Sequence, residues 1–262
     1  MSLELAFVEH GQRGPPIVIL HGLFGSSRNW ATIARRLADE HRVFTLDLRN
    51  HGASPWAERM TYDDMADDVA AFIQRHGLSP ATVMGHSMGG KVAMRLALAR
   101  SGLVARLIVI DVAPVTYRHS LGEYVEAMRE ARITGTNRRQ DVDAQLQRVI
   151  PDPAVRAFLL QNLVRTEQGF AWRVNLDAIA ANLPVLMGFP SDAGQSYGGP
   201  TLFLRGGRSS YVRPEHRPVI EKLFAKVELV TIADAGHRVH AEKPETFLAV
   251  VRRFLDRTRE AA

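Results

Sequence analysis

Short, unbroken apolar runs recur along the chain and are separated by stretches with the period of amphipathic helices. The runs are IVIL at 17–20, VFTL at 43–46, TVM at 82–84, LIVI at 107–110 and TLFL at 201–204. A strand that is half exposed alternates apolar with polar residues. One covered on both faces has no polar side to show, and these runs have none, which predicts a parallel sheet flanked by helices. Between Thr61 and Arg75 the apolar residues Tyr62, Met65, Ala66, Val69, Phe72 and Ile73 fall on one helical face, with Thr61 and Asp64 spaced as a capping box. A last helix is expected from near Pro244, burying Phe247, Val251, Phe254 and Leu255.

The alternation stops between about Val115 and Gly199. That stretch predicts helices only, roughly Leu121–Arg132, Arg138–Val149, Ala154–Val164 and Asn175–Leu183, punctuated by Pro151, Pro153, Pro184 and Pro190. The Gly/Ser-rich segment DAGQSYGGP then leads back to a strand. The expected architecture is α/β: residues 1–114 and 200–262 form a core with a predominantly parallel sheet and helices on both faces. Residues 115–199 form a helical cap resting on the sheet's C-terminal edge, where open α/β sheets bind ligands.

Composition narrows the picture only a little. The 262 residues are 46% hydrophobic and 23% charged, ordinary for a globular protein. No run approaches the roughly 18 apolar residues of a membrane span. Glu4 and Glu9 interrupt any apolar leader, so no signal peptide and a cytoplasmic location are expected. The absence of cysteine excludes disulfides and thiolate metal sites. A net charge of +5 does not imply a nucleic-acid partner, because the basic residues are scattered among acids with no run interleaved with aromatics. The inserted segment holds nine Arg and nine Asp or Glu, so a strongly cationic lid is not expected. The oligomeric state is not fixed by any of this.

The chemistry concentrates in three loops. GHSMG at 85–89 lies between the strand ATVM and the helical segment GKVAMRLALAR. In a strand–turn–helix context this pattern forces the serine into a strained turn that lifts its hydroxyl clear of the chain, and Gly85 and Gly89 leave room for it. Ser87 is the expected nucleophile. A hydroxyl needs a base, and His237 in ADAGHRVH follows a strand end and a turn-forming glycine. His240 is three residues further on, where packing is the simpler role. A tetrahedral oxyanion needs two backbone N–H donors. Met88, next after the nucleophile, supplies one; Leu23 in HGLFGS supplies the other, with Phe24 as the alternative donor. Phe24 and Trp172 are expected to touch substrate. Met128, Phe158, Phe170, Trp172, Met187 and Phe189 could line an acyl pocket, though such residues more often form the cap's own core.

Taken together, HGLFGS, DLRNHGASP, GHSMGGKVAM, IDVAP and GHRVHAEKP resemble the α/β-hydrolase superfamily, and more narrowly the small bacterial esterases of the YbfF type. The likeness spans nearly the whole core and thins across the insert, where GFAWRVN is the main matching patch. It implies a serine hydrolase that takes a small acyl ester or thioester and uses neither cofactor nor metal. It also implies an aromatic residue after the base, where this chain has Arg238. In most of the superfamily the triad acid follows the strand after the cap, but TLFLRGGRSSYV holds no carboxylate, only Ser209 and Ser210. Asp111, at the end of LIVI, is the expected acid, a position the resembled esterases also use; Asp234 lies too close to His237 in sequence. Carbon–carbon bond hydrolases and lactonases share such a triad, and a ligand-binding receptor could share the fold. Turnover of an activated aryl ester separates the receptor from the enzymes.

Overall fold

The structure, a computed structural model, describes residues 2–118, 121–133, 135, 138–167, 169–190 and 194–259. Nine strands and ten α-helices follow one another among these residues. The strands are β1 (Phe7–His10), β2 (Pro16–Leu20), β3 (Arg42–Leu46), β4 (Ala81–His86), β5 (Val104–Ile110), β6 (Leu163–Thr166), β7 (Gly169–Trp172), β8 (Tyr197–Gly206) and β9 (Phe224–Ile232). The helices are α1 (Ala31–Leu37), α2 (Tyr62–Arg75), α3 (Met88–Ala99), α4 (Leu121–Glu130), α5 (Arg139–Leu146), α6 (Pro153–Leu159), α7 (Leu176–Met187), α8 (Arg217–Leu223), α9 (Val239–Glu242) and α10 (Pro244–Arg259).

Seven strands form one sheet in the order β1-β3-β2-β4-β5-β8-β9, with β1 antiparallel to β3 and every other pair parallel. The unbroken apolar runs are explained by the two cores they feed. Val18 and Leu20 of β2 join one cluster and Ile17 and Ile19 the other; Leu107 and Val109 of β5 point opposite to Ile108 and Ile110. Helices α2 and α3 cover the first face through Met65, Val69, Phe72, Val92 and Leu96. Helices α1 and α10 cover the second through Ile33, Leu37, Phe247, Val251 and Phe254. The Thr61–Asp64 capping box is formed: the Thr61 hydroxyl accepts from the Asp64 amide at 3.1 Å and Asp64 Oδ2 accepts from the Thr61 amide at 3.2 Å.

After β2 the chain steps to β3 on one side, then returns to place β4 on the other. This reversal leaves a crevice at the C-terminal ends of β2 and β4, which pair in register from Ile17–Thr82 to Leu20–Gly85. The loops carrying HGLFG and Ser87 therefore emerge side by side.

The segment between β5 and β8 departs from the helices-only expectation. It holds α4 to α7 but also the antiparallel hairpin β6–β7, in which Leu163 pairs with Trp172 and Thr166 with Gly169. The helix expected through Val164 ends at Leu159 and passes through a 3-10 turn at Leu160–Asn162 into the hairpin. Four-residue strands leave too little sequence to show a period of two, and pairing across the turn decides the outcome. Helix α7 runs through Pro184 to Met187 rather than stopping before it. Its last carbonyls are satisfied from the core: the Tyr62 hydroxyl donates to Leu186 O at 2.6 Å, and Lys91 Nζ donates to Met187 O at 3.0 Å and Gly188 O at 2.5 Å. Of the expected linker at 192–200, residues 192 and 193 lie outside the described residues, and Tyr197 onward is already β8.

The loop after β3 is anchored by an ion pair with almost no solvent access. Arg49 Nε donates to Asp68 Oδ2 at 2.7 Å and Nη2 to Oδ1 at 2.8 Å, with side-chain exposures of 3% and 0%. Removing one partner of such a pair leaves an uncompensated buried charge. Arg49→Leu should cost about 3–5 kcal/mol in urea unfolding, and Arg49→Leu with Asp68→Leu should cost less than the single change. A single variant within about 1 kcal/mol of wild type would show that the pair does not anchor the loop.

Candidate active site

Ser87 ends β4 and starts α3 with φ +52° and ψ −118°, a conformation that a side chain rarely tolerates. Its amide donates to Ile110 O at 3.0 Å, tying the turn to the neighbouring strand. The flanking glycines are sterically required. A Cβ at Gly85 would stand 2.1 Å from Gly89 O, and one at Gly89 would stand 2.5 Å from both Leu20 O and His21 O. Ser87 and His237 line one cavity of about 380 Å³, together with Leu23, Phe24, Tyr124 and Phe158. A much smaller space of about 30 Å³ lies on the other side of Ser87, against Met88, Lys91 and Tyr117.

His237 sits in the loop after β9, and its Nδ1–H donates to Asp111 Oδ2 at 2.7 Å. That bond fixes the tautomer and leaves Nε2 as the basic nitrogen. Asp111 follows β5 with φ +51°, a left-handed turn that sends its carboxylate toward the β8 end of the sheet. It is fully buried and has three donors: His237, the Gly206 amide at 3.0 Å on Oδ1, and the Ser209 hydroxyl on Oδ2. Ser209, which occupies the usual place of the acid, is thus a partner of the carboxylate supplied one strand away. The His237 ring is further fixed by Tyr211, stacked at 3.9 Å and 16°, and His86 Nε2–H donates to the His237 carbonyl at 2.9 Å. Sequence reasoning missed both. His86 stood inside GHSMG and could have been noticed; nothing in the sequence signals Tyr211.

The loop of Leu23 and Phe24 is held from behind by two neutral histidines. Phe24, at φ +63°, donates its amide to His51 Nε2 at 3.1 Å, so this N–H is occupied and does not point at substrate. His21 Nε2 accepts from the Leu48 amide at 2.9 Å and its Nδ1 donates to Gly22 O at 2.8 Å. Among the described residues, the amides of Leu23 and Met88 donate to no protein acceptor. Asp47, Arg49 and His51 build this support: Asp47 accepts from the Ser27 amide at 2.6 Å and the Ala53 amide at 2.8 Å.

Trp172, expected to touch substrate, does not line the Ser87 cavity. The hairpin carries it to a separate groove with Trp56 and Phe170, and its indole N–H donates to Met128 O at 2.9 Å. His240, the rejected base, stacks on Trp30 at 4.0 Å and 15°. Asp234, the rejected acid, is exposed with φ +54°. Lys91 is buried beside the small space, 4.8 Å above the Tyr117 ring, and burial pushes its ammonium down to about 7.

The chain matches the model of the alpha/beta hydrolase fold over residues 15–244. It is 42% identical to the mouse sn-1-specific diacylglycerol lipase ABHD11 over 249 residues, 92% of this chain and 81% of that one. It is 34% identical to esterase YbfF of Escherichia coli K12, covering 98% and 99%. Among solved structures, a marine microorganism esterase superposes with a TM-score of 0.93 at 37% identity, covering 97% and 100%. Among the described residues no helix is long and apolar enough to cross a membrane.

Burial lowers the proton affinity of His21, His51, His86 and His240, taking His51 and His240 to about 3. The unfolded chain therefore binds protons below pH 6.5 that the folded chain refuses, so stability is full above that value and is lost as pH falls toward 3. Unfolding free energy measured from about pH 6.5 to about 4 should decline steadily. His51→Gln, which keeps an acceptor for Phe24, should reduce the slope by about one proton, ~1.4 kcal/mol per pH unit. A wild-type profile flat over that range would contradict buried neutral imidazoles.

Proposed function

We propose, from the premise that the chain belongs to the alpha/beta hydrolase fold family and is a carboxylic ester hydrolase, that Ser87, His237 and Asp111 are its triad. The observation that carries this is the 2.7 Å hydrogen bond from His237 Nδ1 to the buried Asp111 carboxylate, beside a serine held at φ +52°. Ser87 Oγ attacks the acyl carbonyl as His237 Nε2 takes its proton. Asp111 keeps the ring oriented and stabilises the imidazolium that forms. The oxyanion receives the N–H groups of Leu23 and Met88, the pair left without protein acceptors. His237 then protonates the departing alcohol, and water, deprotonated by the same nitrogen, releases the acid and regenerates the serine. The chemistry extends to acyl thioesters, whose thiolate leaves more readily.

In this reading residues 115–199 cap the site, with 1–114 and 200–262 as the body. Leu121, Tyr124, Val155 and Phe158 from the insert close the cavity over Ser87 and exclude water from the developing charge. Asn162 Nδ2 donates to Phe24 O at 2.8 Å and the Asn175 amide to Asn50 O at 2.9 Å, so the cap also braces the loop of Leu23.

Turnover of 4-nitrophenyl acetate should fall by about 10⁴ to 10⁶ in Ser87→Ala and about 10³ to 10⁴ in Asp111→Asn, with the fold intact by circular dichroism. Ser209→Ala removes one of three donors to Asp111, and Ser210→Ala none; both should stay within about tenfold of wild type. Near-normal turnover in Asp111→Asn would place the acid elsewhere.

A further inference from the structure

Two imidazoles in the Ser87 cavity take no part in the triad. His86 and His240 line the same space as Ser87 and His237, and their rings stand edge to face with centroids 5.0 Å apart. Both are buried, at 7% exposure. Burial keeps both neutral, taking His240 down to about 3 and holding His86 well below the ordinary histidine value. Each ring therefore offers one N–H and one lone pair, and its surroundings decide which nitrogen carries which.

For His86 the choice is made by Nε2, which lies 2.9 Å from the His237 carbonyl oxygen. A carbonyl only accepts, so the proton is on Nε2 and Nδ1 is a bare acceptor. That Nδ1 has no partner among the described residues and is open to the cavity. A Cβ built at Gly22 would stand 2.9 Å from it and 3.2 Å from Ser87 Cβ, so the lone pair and the nucleophile border one patch of the cavity wall. His240 is held by its stack on Trp30. Its Nδ1 is sealed from solvent and has no hydrogen-bond partner. A sealed N–H without an acceptor is rarer than a sealed lone pair, which places the His240 proton on Nε2. That nitrogen has no protein partner either, but it is not sealed, and it offers its N–H to the space the ring lines.

An uncharged lone pair beside an uncharged N–H is the complement of one oxygen that both donates and accepts. It repels an anion at His86 and a cation at His240, and suits a water or a hydroxyl. Hydrolysis needs such a molecule here. Once the leaving group has gone, one water must reach the acyl carbon beside His237, inside a cavity that Leu121, Tyr124, Val155 and Phe158 close. The His86 and His237 rings are 4.6 Å apart, so a water on this pair waits on the base's side of Ser87.

We propose that His86 Nδ1 and His240 Nε2–H hold the hydrolytic water for the second half of the reaction. The assignment rests on the Ser87–His237 reading. The water donates one O–H to His86, accepts from His240, and keeps its other O–H for His237. His237 Nε2 takes that proton as the water oxygen bonds to the acyl carbon. The tetrahedral intermediate then breaks its bond to Ser87 Oγ, which recovers the proton from His237, and the acid leaves with the water's oxygen. His86 and His240 are thus positioning residues for deacylation and are idle during acylation.

His240→Phe keeps a ring on Trp30 and removes the N–H. With 4-nitrophenyl acetate, the acetyl-enzyme on Ser87, followed by rapid-quench mass spectrometry, should decay about tenfold or more slowly than in wild type. First-turnover release of 4-nitrophenolate should stay within about threefold. His240→Gln, which carries an N–H near the place of the imidazole Nε2, should bring the decay back to within about threefold of wild type. Nitrogen-15 NMR of the unsubstituted protein reads the tautomer directly, and decides the matter if His240→Phe does not fold: His240 should be protonated on Nε2. A proton on His240 Nδ1, or equal slowing of both half-reactions, would overturn the water site. Unchanged decay of the acetyl-enzyme in His240→Phe would also overturn it and leave the pair to a hydroxyl of the substrate. Ser87→Ala retaining 4-nitrophenyl acetate turnover would instead remove the reading on which the proposal depends.

Discussion

Asp111 places a carboxylate where no water reaches, and a buried charge is tolerated only if donors surround it. Those donors come from separate parts of the chain: the Gly206 amide at the end of β8, the Ser209 hydroxyl just beyond it, and His237 in the loop after β9. Satisfying one carboxylate thus fixes how three loops sit relative to one another. The left-handed turn at Asp111 is held by its amide bond to Leu204 O at 2.8 Å, and the preceding residue, Ile110, accepts the Ser87 amide. The strained turn at Ser87 and the carboxylate bonded to His237 are therefore two ends of one network across β4, β5 and β8. Backbone strain of about 1–3 kcal/mol at such a turn persists only where the surroundings over-determine it.

A second network holds the opposite wall. His21 and His51 are kept neutral by burial and tie two loops together: His51 accepts the Phe24 amide of the HGLFG loop, and His21 of that loop accepts the Leu48 amide. Phe24 gives its N–H to His51, whereas the Leu23 amide has no protein acceptor among the described residues. The Arg49–Asp68 pair anchors the segment carrying His51, and Asn162 from the insert takes the Phe24 carbonyl. Lys91 adds a third link: its position on α3, one turn after Ser87, brings its Nζ under the last carbonyls of α7. The segment between β5 and β8 is thus bonded to the loop and the helix that flank the Ser87 cavity.

The sheet was legible in the sequence because two-sided burial erases alternation, and runs such as LIVI and IVIL show that erasure directly. The strained turn at Ser87 was legible from the sterics of its glycines, and the approach of Asp111 to His237 because the segment after β8 offers hydroxyls but no carboxylate. What escaped was set by contacts distant in sequence. Strand β1 is a mostly exposed four-residue edge defined by backbone pairing to β3 alone. The hairpin β6–β7 is too short to carry a period, and its register, not the aromatic character of Trp172, decided that the indole faces another groove. Pro184 is a stop signal in the sequence, but donors from Tyr62 and Lys91 cap the helix beyond it.

The central claim is that one hydroxyl, on one strained turn, is activated by one imidazole. Mass-spectrometric mapping after reaction with a fluorophosphonate addresses it most directly, since the reagent bonds to a serine that is already a nucleophile and ignores the others. The account predicts a single adduct, on Ser87, accumulating in step with loss of esterase activity. An adduct on another residue, or activity persisting after Ser87 is fully modified, would contradict it.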